Sequence, residues 1–437
     1  MVLWMFAEVN NLQVEQFIHE GFLIEEDKQY KLVIEQDNMS GLKTNYNQPY
    51  KILTNTHHFS DFRKNNIIYV DKTKFVLQLI DDLKTQCFLS RPRRFGKSLL
   101  ITMMKELFSG NKKLFKGLYI YDKYDFIPYP VIHLSFASIN YDINLPPDIS
   151  LYKALTDYFS QIAEEKQVPI SDGPYLGKLI QNLYNKHKTP VVVLIDEYDK
   201  PLLRYLKEPE KREKVLACLR DVFAPLKDLT NIIKFLFITG VSKFSKVSIF
   251  SDLNNLDDLT MLSKYSQIAG FTQQELEHNF SYHIDELSKK ENKTRTQILE
   301  QIKQWYDGYS WDGNNFVYAP FSISNLFNNM EFKNYWFTSA TPSFLIDVID
   351  KLKKGELELR HFESYQMVNT DIEKYKIDNI KLLPFLFQSG YLSVYKIEHG
   401  ILNIRFPNME VRTSFYKYLF EEFSEKILDF FKINLCN

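Results

Sequence analysis

Cysteine is scarce in this chain: its 437 residues hold 3, Cys87, Cys218 and Cys436, scattered, odd in number and without a CxxC pair. That excludes a disulfide framework and a zinc ribbon, and it fits a reducing cytoplasm. An excess of charge of either sign is also missing. With 54 basic against 55 acidic residues the net charge is −1, so no global field draws the chain to nucleic acid or to anionic lipid, and any such binding must be local. Long apolar runs are absent too. The greasiest stretch, Ile232 to Ile238, is strand-sized and broken by Lys234, far short of the roughly 20 apolar residues a membrane helix needs. The opening MVLWMFAEVN lacks the basic region and the length of an export signal. The histidines show no H-x-x-x-H spacing, and neither G-x-S-x-G nor a Cys/His pairing supports a covalent nucleophile.

What is present suffices for two or three cored domains, since 45% of the residues are hydrophobic. Residues 1–46 stand apart: a short helical pattern at Val14, Phe17 and Ile18 leads into two apolar stretches, Phe22 to Ile24 and Tyr30 to Ile34, joined by the polar turn EEDKQ. A similar plan recurs near the other end, where a helical pattern precedes a hairpin turning at His399 and Gly400. The two units are either winged-helix-like or a chance likeness between segments packed on a core.

From 47 to 258 strands alternate with helices, the pattern of a three-layer α/β sandwich with a mostly parallel sheet. Strands are expected at Gln86 to Ser90, Val131 to Phe136, Val191 to Ile195 and Ile232 to Thr239. Amphipathic stretches at Leu151 to Ala163, Tyr175 to His187 and Lys211 to Leu226 separate them. Residues 259–437 read as a mainly helical region ending in the β-hairpin. It opens with a capping box at Thr272 to Glu275 and continues through Ile298 to Tyr306, Ser322 to Met330 and Ser343 to Leu352.

Two motifs carry chemistry. RPRRFGKS, Arg91 to Ser98, matches the P-loop pattern G-x-x-x-x-G-K-[ST] except that Arg91 stands at its first glycine. It follows a strand and opens a helix whose stripe is Leu99, Leu100, Met103, Met104, Leu107 and Phe108. Gly96 lets backbone N–H groups approach phosphate oxygens, Lys97 reaches the β and γ phosphates, and Ser98 serves Mg²⁺. Arg91, Arg93 and Arg94 add positive charge around a polyphosphate, and Phe95 and Leu99 complete the loop. An arginine at the opening position also risks altering the turn, because positive φ disfavours it.

About a hundred residues on, VVVLIDEYDKP, Val191 to Pro201, delivers two carboxylates at the end of an apolar strand. Asp196 is expected to hold Mg²⁺, directly or through water, and Glu197 to deprotonate the attacking water. Asp199 and Lys200 read rather as a solvated turn. The strand Ile232 to Thr239 ends in TGVSKFSKVS, which is either an ordinary glycine turn or a place where Thr239 or Ser242 senses a γ-phosphate and Lys243 and Lys246 stabilise charge. The aromatic clusters WYDGYSW, Trp305 to Trp311, and YWF, Tyr335 to Phe337, either stack bases or belong to the core; in a chain so rich in aromatics the core is the better reading. No N-K-x-D element points to guanine.

Together YVDKT at Tyr69 to Thr73, RPRRFGKSLL, VVVLIDEYDKPL, ITGVSKFSKVSIFSDLNNLDDLT, WYDGYSW, PFSISNLF and YWFTSATPSFL resemble the AAA-ATPase-like family of bacterial proteins. Many of its members carry a PD-(D/E)XK nuclease-like domain after the ATPase. The resemblance covers roughly residues 55–415. It implies ATP and Mg²⁺ as ligands, makes Arg91 part of the family's own loop, and leaves open an oligomer that completes its site with a neighbour's arginine. Beyond an FPN-x-E-V stretch at Phe406 to Val411 the chain lacks G-x-D and E-x-K carboxylates, so the nuclease-like module is expected to be missing and its activity is not carried over. The leading reading is a Mg²⁺-dependent ATPase whose nucleotide state moves a helical domain. The alternatives are a non-hydrolysing or truncated remnant of an ATPase-nuclease, and a nucleic-acid-binding adaptor, against which the neutral net charge counts.

Overall fold

A computed structural model describes residues 23–26, 29–32, 51–52, 54, 56–243, 256–336, 363–368 and 382–418. The chain divides into Met1–Asn45 and Tyr46–Asn437. In the first unit β1 (Leu23–Glu26) pairs antiparallel with β2 (Gln29–Leu32), the expected hairpin; the helix expected around Val14 to Ile18 lies outside the described residues.

The second unit opens with α1 (Phe59–Lys64) and α2 (Thr73–Asp81), followed by β3 (Gln86–Ser90) and α3 (Lys97–Phe108). Next come β4 (Val131–Ser135), α4 (Pro147–Glu165), α5 (Leu176–His187), β5 (Val191–Asp196), α6 (Lys200–Leu203), α7 (Pro209–Phe223), β6 (Ile233–Gly240) and β7 (Asp257–Asp258). These strands form one parallel sheet in the order β4-β5-β6-β3-β7. Every residue of β3 and β5 is buried, as a parallel sheet covered on both faces requires. The strand period of two divides the core. Val191, Val193 and Ile195 pack with Leu151, Leu179 and Leu219 on one face. Val192 and Leu194 pack with Leu100, Met103 and Met104 on the other.

Beyond β7 the chain turns helical: α8 (Gln273–Asn279), α9 (Ser281–Glu291), α10 (Arg295–Tyr306) and α11 (Pro320–Asn329). Thr272 and Glu275 form the expected capping box. Ile284, Ile298, Ile302, Ile323 and Leu326 close these helices on a core of their own. The helix expected at Ser343 to Leu352 lies outside the described residues. The C-terminal region has more strand than the expected hairpin. After β8 (Tyr365–Val368) and α12 (Leu382–Ser389), β9 (Ser393–Glu398) and β10 (Ile401–Arg405) build with β8 a three-stranded antiparallel sheet in the order β8-β10-β9. His399 and Gly400, both at positive φ, make the hairpin turn, as a twisted two-residue connection demands. Residues of α12, β9 and β10 share one apolar cluster with β5 and β6, so the C-terminal segments pack into the α/β core.

Candidate functional site

The strand order places the two sequence motifs side by side at the carboxyl ends of β3 and β5, with β6 between those strands. From Ser90 the chain turns through Arg94 at φ 64° and Gly96 at φ 84° into α3. Gly96 caps the helix without a side-chain hydrogen bond, so first-turn N–H groups that no helix can satisfy internally are left for a ligand. Open space surrounds the site of a Cβ on Gly96; its positive φ, not crowding, asks for glycine.

A cavity of about 780 Å³ covers this helix start. Its lining mixes polar residues, Arg93, Lys97, Ser98, Glu197, Asp199 and Lys200, with apolar ones, among them Ile52, Val70, Ile268, Phe271, Phe280 and Phe321. Lys97 is buried, its Nζ donating to the carbonyls of Arg91 at 2.8 Å and Pro92 at 2.7 Å. Burial pushes its ammonium below the usual lysine range, and the charges of Asp196, Glu197 and Asp199 pull it back up. Asp196 is buried at the tip of β5; desolvation holds its carboxyl above the usual range, and nearby Ser98 and Lys97 draw it back down. Its Oδ1 has no hydrogen-bond partner.

An orphaned carboxylate oxygen beside a hydroxyl at a helix N-terminus fits a Mg²⁺ ion, which takes one or two protein oxygens and fills its octahedron with water and phosphate. No set of three or more metal-binding side chains converges among the described residues, and such an ion does not need one. Glu197 follows at φ 52°, an uncommon conformation for a side chain of its size. Lys200 Nζ lies 3.2 Å from its Oε2, one turn onward.

Several expected roles change. Arg91 was expected beside the phosphates, but its guanidinium is fully buried and donates to the carbonyls of Ser90, Thr260, Tyr265 and Ser266 at 2.8 to 3.4 Å. It lies 3.7 Å from the Trp311 ring centre. The reason is its neighbours: four carbonyls converge where a fork of donors is needed, and Arg91 N itself donates to Gly240 O. Burial lowers its pKa to about 9, so it remains charged at neutral pH.

Asp199, expected in a solvated turn, is 1% exposed, and its Oδ2 accepts from Val241 N, Ser242 N and the Ser242 hydroxyl. Ser242 is thereby engaged, and neither it nor Thr239 is among the residues that line the cavity; the Thr239 hydroxyl is buried without a partner. Lys243 is paired with Asp258 at 3.1 Å. Lys246 lies outside the described residues. Phe95 packs its ring on Tyr309 and Trp311, which assigns WYDGYSW to the core. Tyr69, Lys72, Trp336 and Tyr391 also wall the cavity; periodicity gives no sign of them because they come from three separate segments.

Two comparisons bear on this geometry. Residues 54–250 match the AAA-ATPase-like family model, described as a predicted AAA-ATPase. Over 355 residues the chain is 36% identical to an "Uncharacterized protein in vnfD 5'region" of Azotobacter chroococcum mcd 1, covering 79% of this chain and 65% of the relative. The chain thus spans somewhat under two thirds of that relative's length.

Proposed function

On the premise that the chain belongs, through residues 54–250, to the AAA-ATPase-like family, we propose that it binds ATP with Mg²⁺ in the cavity over α3 and hydrolyses it. The observation that carries this reading is the meeting of Lys97, Ser98, Asp196 and Glu197 from segments far apart in sequence, with Ser98 and Lys97 close enough to Asp196 to favour its charged form. In this reading the loop N–H groups and Lys97 hold the β and γ phosphates. Ser98 and Asp196 hold Mg²⁺, which when bound neutralises developing charge on the phosphates. Glu197 takes the proton from the attacking water, and the strained backbone beneath it fixes its direction. Arg93 and Arg94 supply charge around the phosphates, while apolar lining of the cavity receives the base. Movement of the helical region would follow nucleotide state through the cavity walls of 268–336 and 382–391.

No helix among the described residues is long and apolar enough to cross a membrane; we place the protein in the cytoplasm. The test is Mg²⁺-dependent ATP binding and phosphate release on the purified chain. Lys97→Ala should lose binding, and Glu197→Gln should keep binding and lose turnover. A wild type that binds no ATP would end this reading; one that binds without turnover would leave a nucleotide switch.

A further inference from the structure

Three stretches, residues 320–327, Tyr335–Trp336 and 406–411, are tied to one another and to the P-loop. Glu410, the acidic residue of the last, is fully buried in the helical residues 409–418. Its Oε1 accepts from the backbone N–H of Trp336 at 2.8 Å and its Oε2 from the Ser322 hydroxyl at 2.7 Å. Trp336 in turn donates its indole N–H to the Arg93 carbonyl at 3.0 Å. Phe321, beside Ser322, lies 3.9 Å below the Arg94 guanidinium. One carboxylate therefore fixes the two contacts that grip consecutive residues of the phosphate loop.

The docking has a second, independent hold: Gly308 sits at φ 101° so close to Pro407 that a Cβ there would meet the Pro407 carbonyl oxygen at 2.0 Å. A buried carboxylate is a costly way to fill space, since an apolar side chain of similar volume packs without desolvating a charge. What the carboxylate adds is direction, through two acceptors at a set angle. The ionisable groups that feel its charge are the phenols of Tyr306, Tyr309 and Tyr335, and burial raises its pKa to about 7.

We propose that Glu410 is a positioning residue for the phosphate site. By holding Trp336 and Ser322 it makes the shape of the P-loop depend on the docking of residues 382–418. The nucleotide consequence rests on the ATP reading above; the mechanical link does not.

The experiment uses the full chain without nucleotide and follows hydrogen exchange of a peptide spanning residues 91–98 in wild type, Trp336→Phe, Glu410→Gln and the double variant. ATP affinity is measured on the same samples. Trp336→Phe keeps an aromatic ring and the backbone N–H and removes the bond to Arg93, so loop exchange should quicken and ATP affinity fall about tenfold, the worth of one hydrogen bond. Glu410→Gln should act the same way, and the double variant should do no worse than the stronger single, as one chain of contacts requires. Peptides from β5 should exchange as in wild type. Unchanged loop exchange in a folded Trp336→Phe, or multiplying effects in the double variant, overturns the link. If Glu410→Gln does not fold, Trp336→Phe alone decides. Quickened exchange in a chain that binds no ATP would sink the nucleotide reading and keep the link.

Discussion

Replacing Arg91 by lysine separates a phosphate ligand from a structural anchor, because it keeps the charge and discards the fork. The guanidinium reaches two pairs of carbonyls, Ser90 with Thr260 and Tyr265 with Ser266, and lies against Trp311. An ammonium is a point donor and satisfies one pair. Two charge-assisted bonds are lost, on the order of 1.5 kcal/mol or more each. The desolvated stacking goes too, about 1 to 2 kcal/mol. Easier neutralisation of a buried lysine returns part of this, leaving a net destabilisation of about 3 kcal/mol. Urea unfolding reads it directly: with an m-value on the order of 3 to 5 kcal/mol/M for a unit of this size, the midpoint falls by about 0.6 to 1 M. Nucleotide affinity of the protein that stays folded should be within a few-fold of wild type. An Arg91→Lys variant that unfolds with the wild type but loses ATP affinity would refute the argument and return the guanidinium to the phosphates.

Three other outcomes follow from the same contacts. Asp199→Ala strands two buried N–H groups and a hydroxyl and should cost about 3 to 5 kcal/mol in denaturant unfolding; Asp199→Asn, which keeps an acceptor, should cost less than half of that, and equal losses would contradict the three-bond picture. Gly308→Ala, where a Cβ meets Pro407, should abolish stable folding or cost upwards of about 4 kcal/mol, whereas Gly96→Ala, with open space around it, should cost only the roughly 1 kcal/mol of a left-handed residue; circular dichroism melts of the pair would show the contrast. Glu410 gives a pH signature: its folded pKa of about 7 stands above the ordinary 4.5, so the folded state keeps a proton that the unfolded chain releases. Its contribution is full below pH 4.5, falls as pH rises towards 7 and is flat above that, a change of up to about 3 kcal/mol; urea midpoints of wild type and Glu410→Gln at stepped pH should converge or diverge along that ramp, and parallel curves would rule it out.

The α/β core was legible because its strands are apolar throughout and its helices repeat at 3.6: Gln86–Ser90 was placed to the residue, and Val191–Asp196 and Ile233–Gly240 to within one. The turn into α3 was legible for another reason, that Gly96, Lys97 and Ser98 are adjacent and the left-handed turn Gly96 makes is local. β8 and β7 went unread because they are short, and β7 is a pair of aspartates with no apolar pattern to find. Residues whose meaning depends on a distant partner were misjudged: Arg91 looked like a phosphate ligand and Asp199 like a surface turn until the fold placed four carbonyls around one and the end of β6 against the other.

By itself, then, the sequence determined the order of strands and helices and the turn at Gly96, since each follows from residues within a few positions of one another. Tertiary structure alone decided that Arg91 faces inward, that Asp199 is buried, and that Glu410 acts on Arg93 through Trp336. Those facts depend on which groups arrive from tens to hundreds of residues away, and desolvation, which sets their worth, exists only once the chain has closed around them.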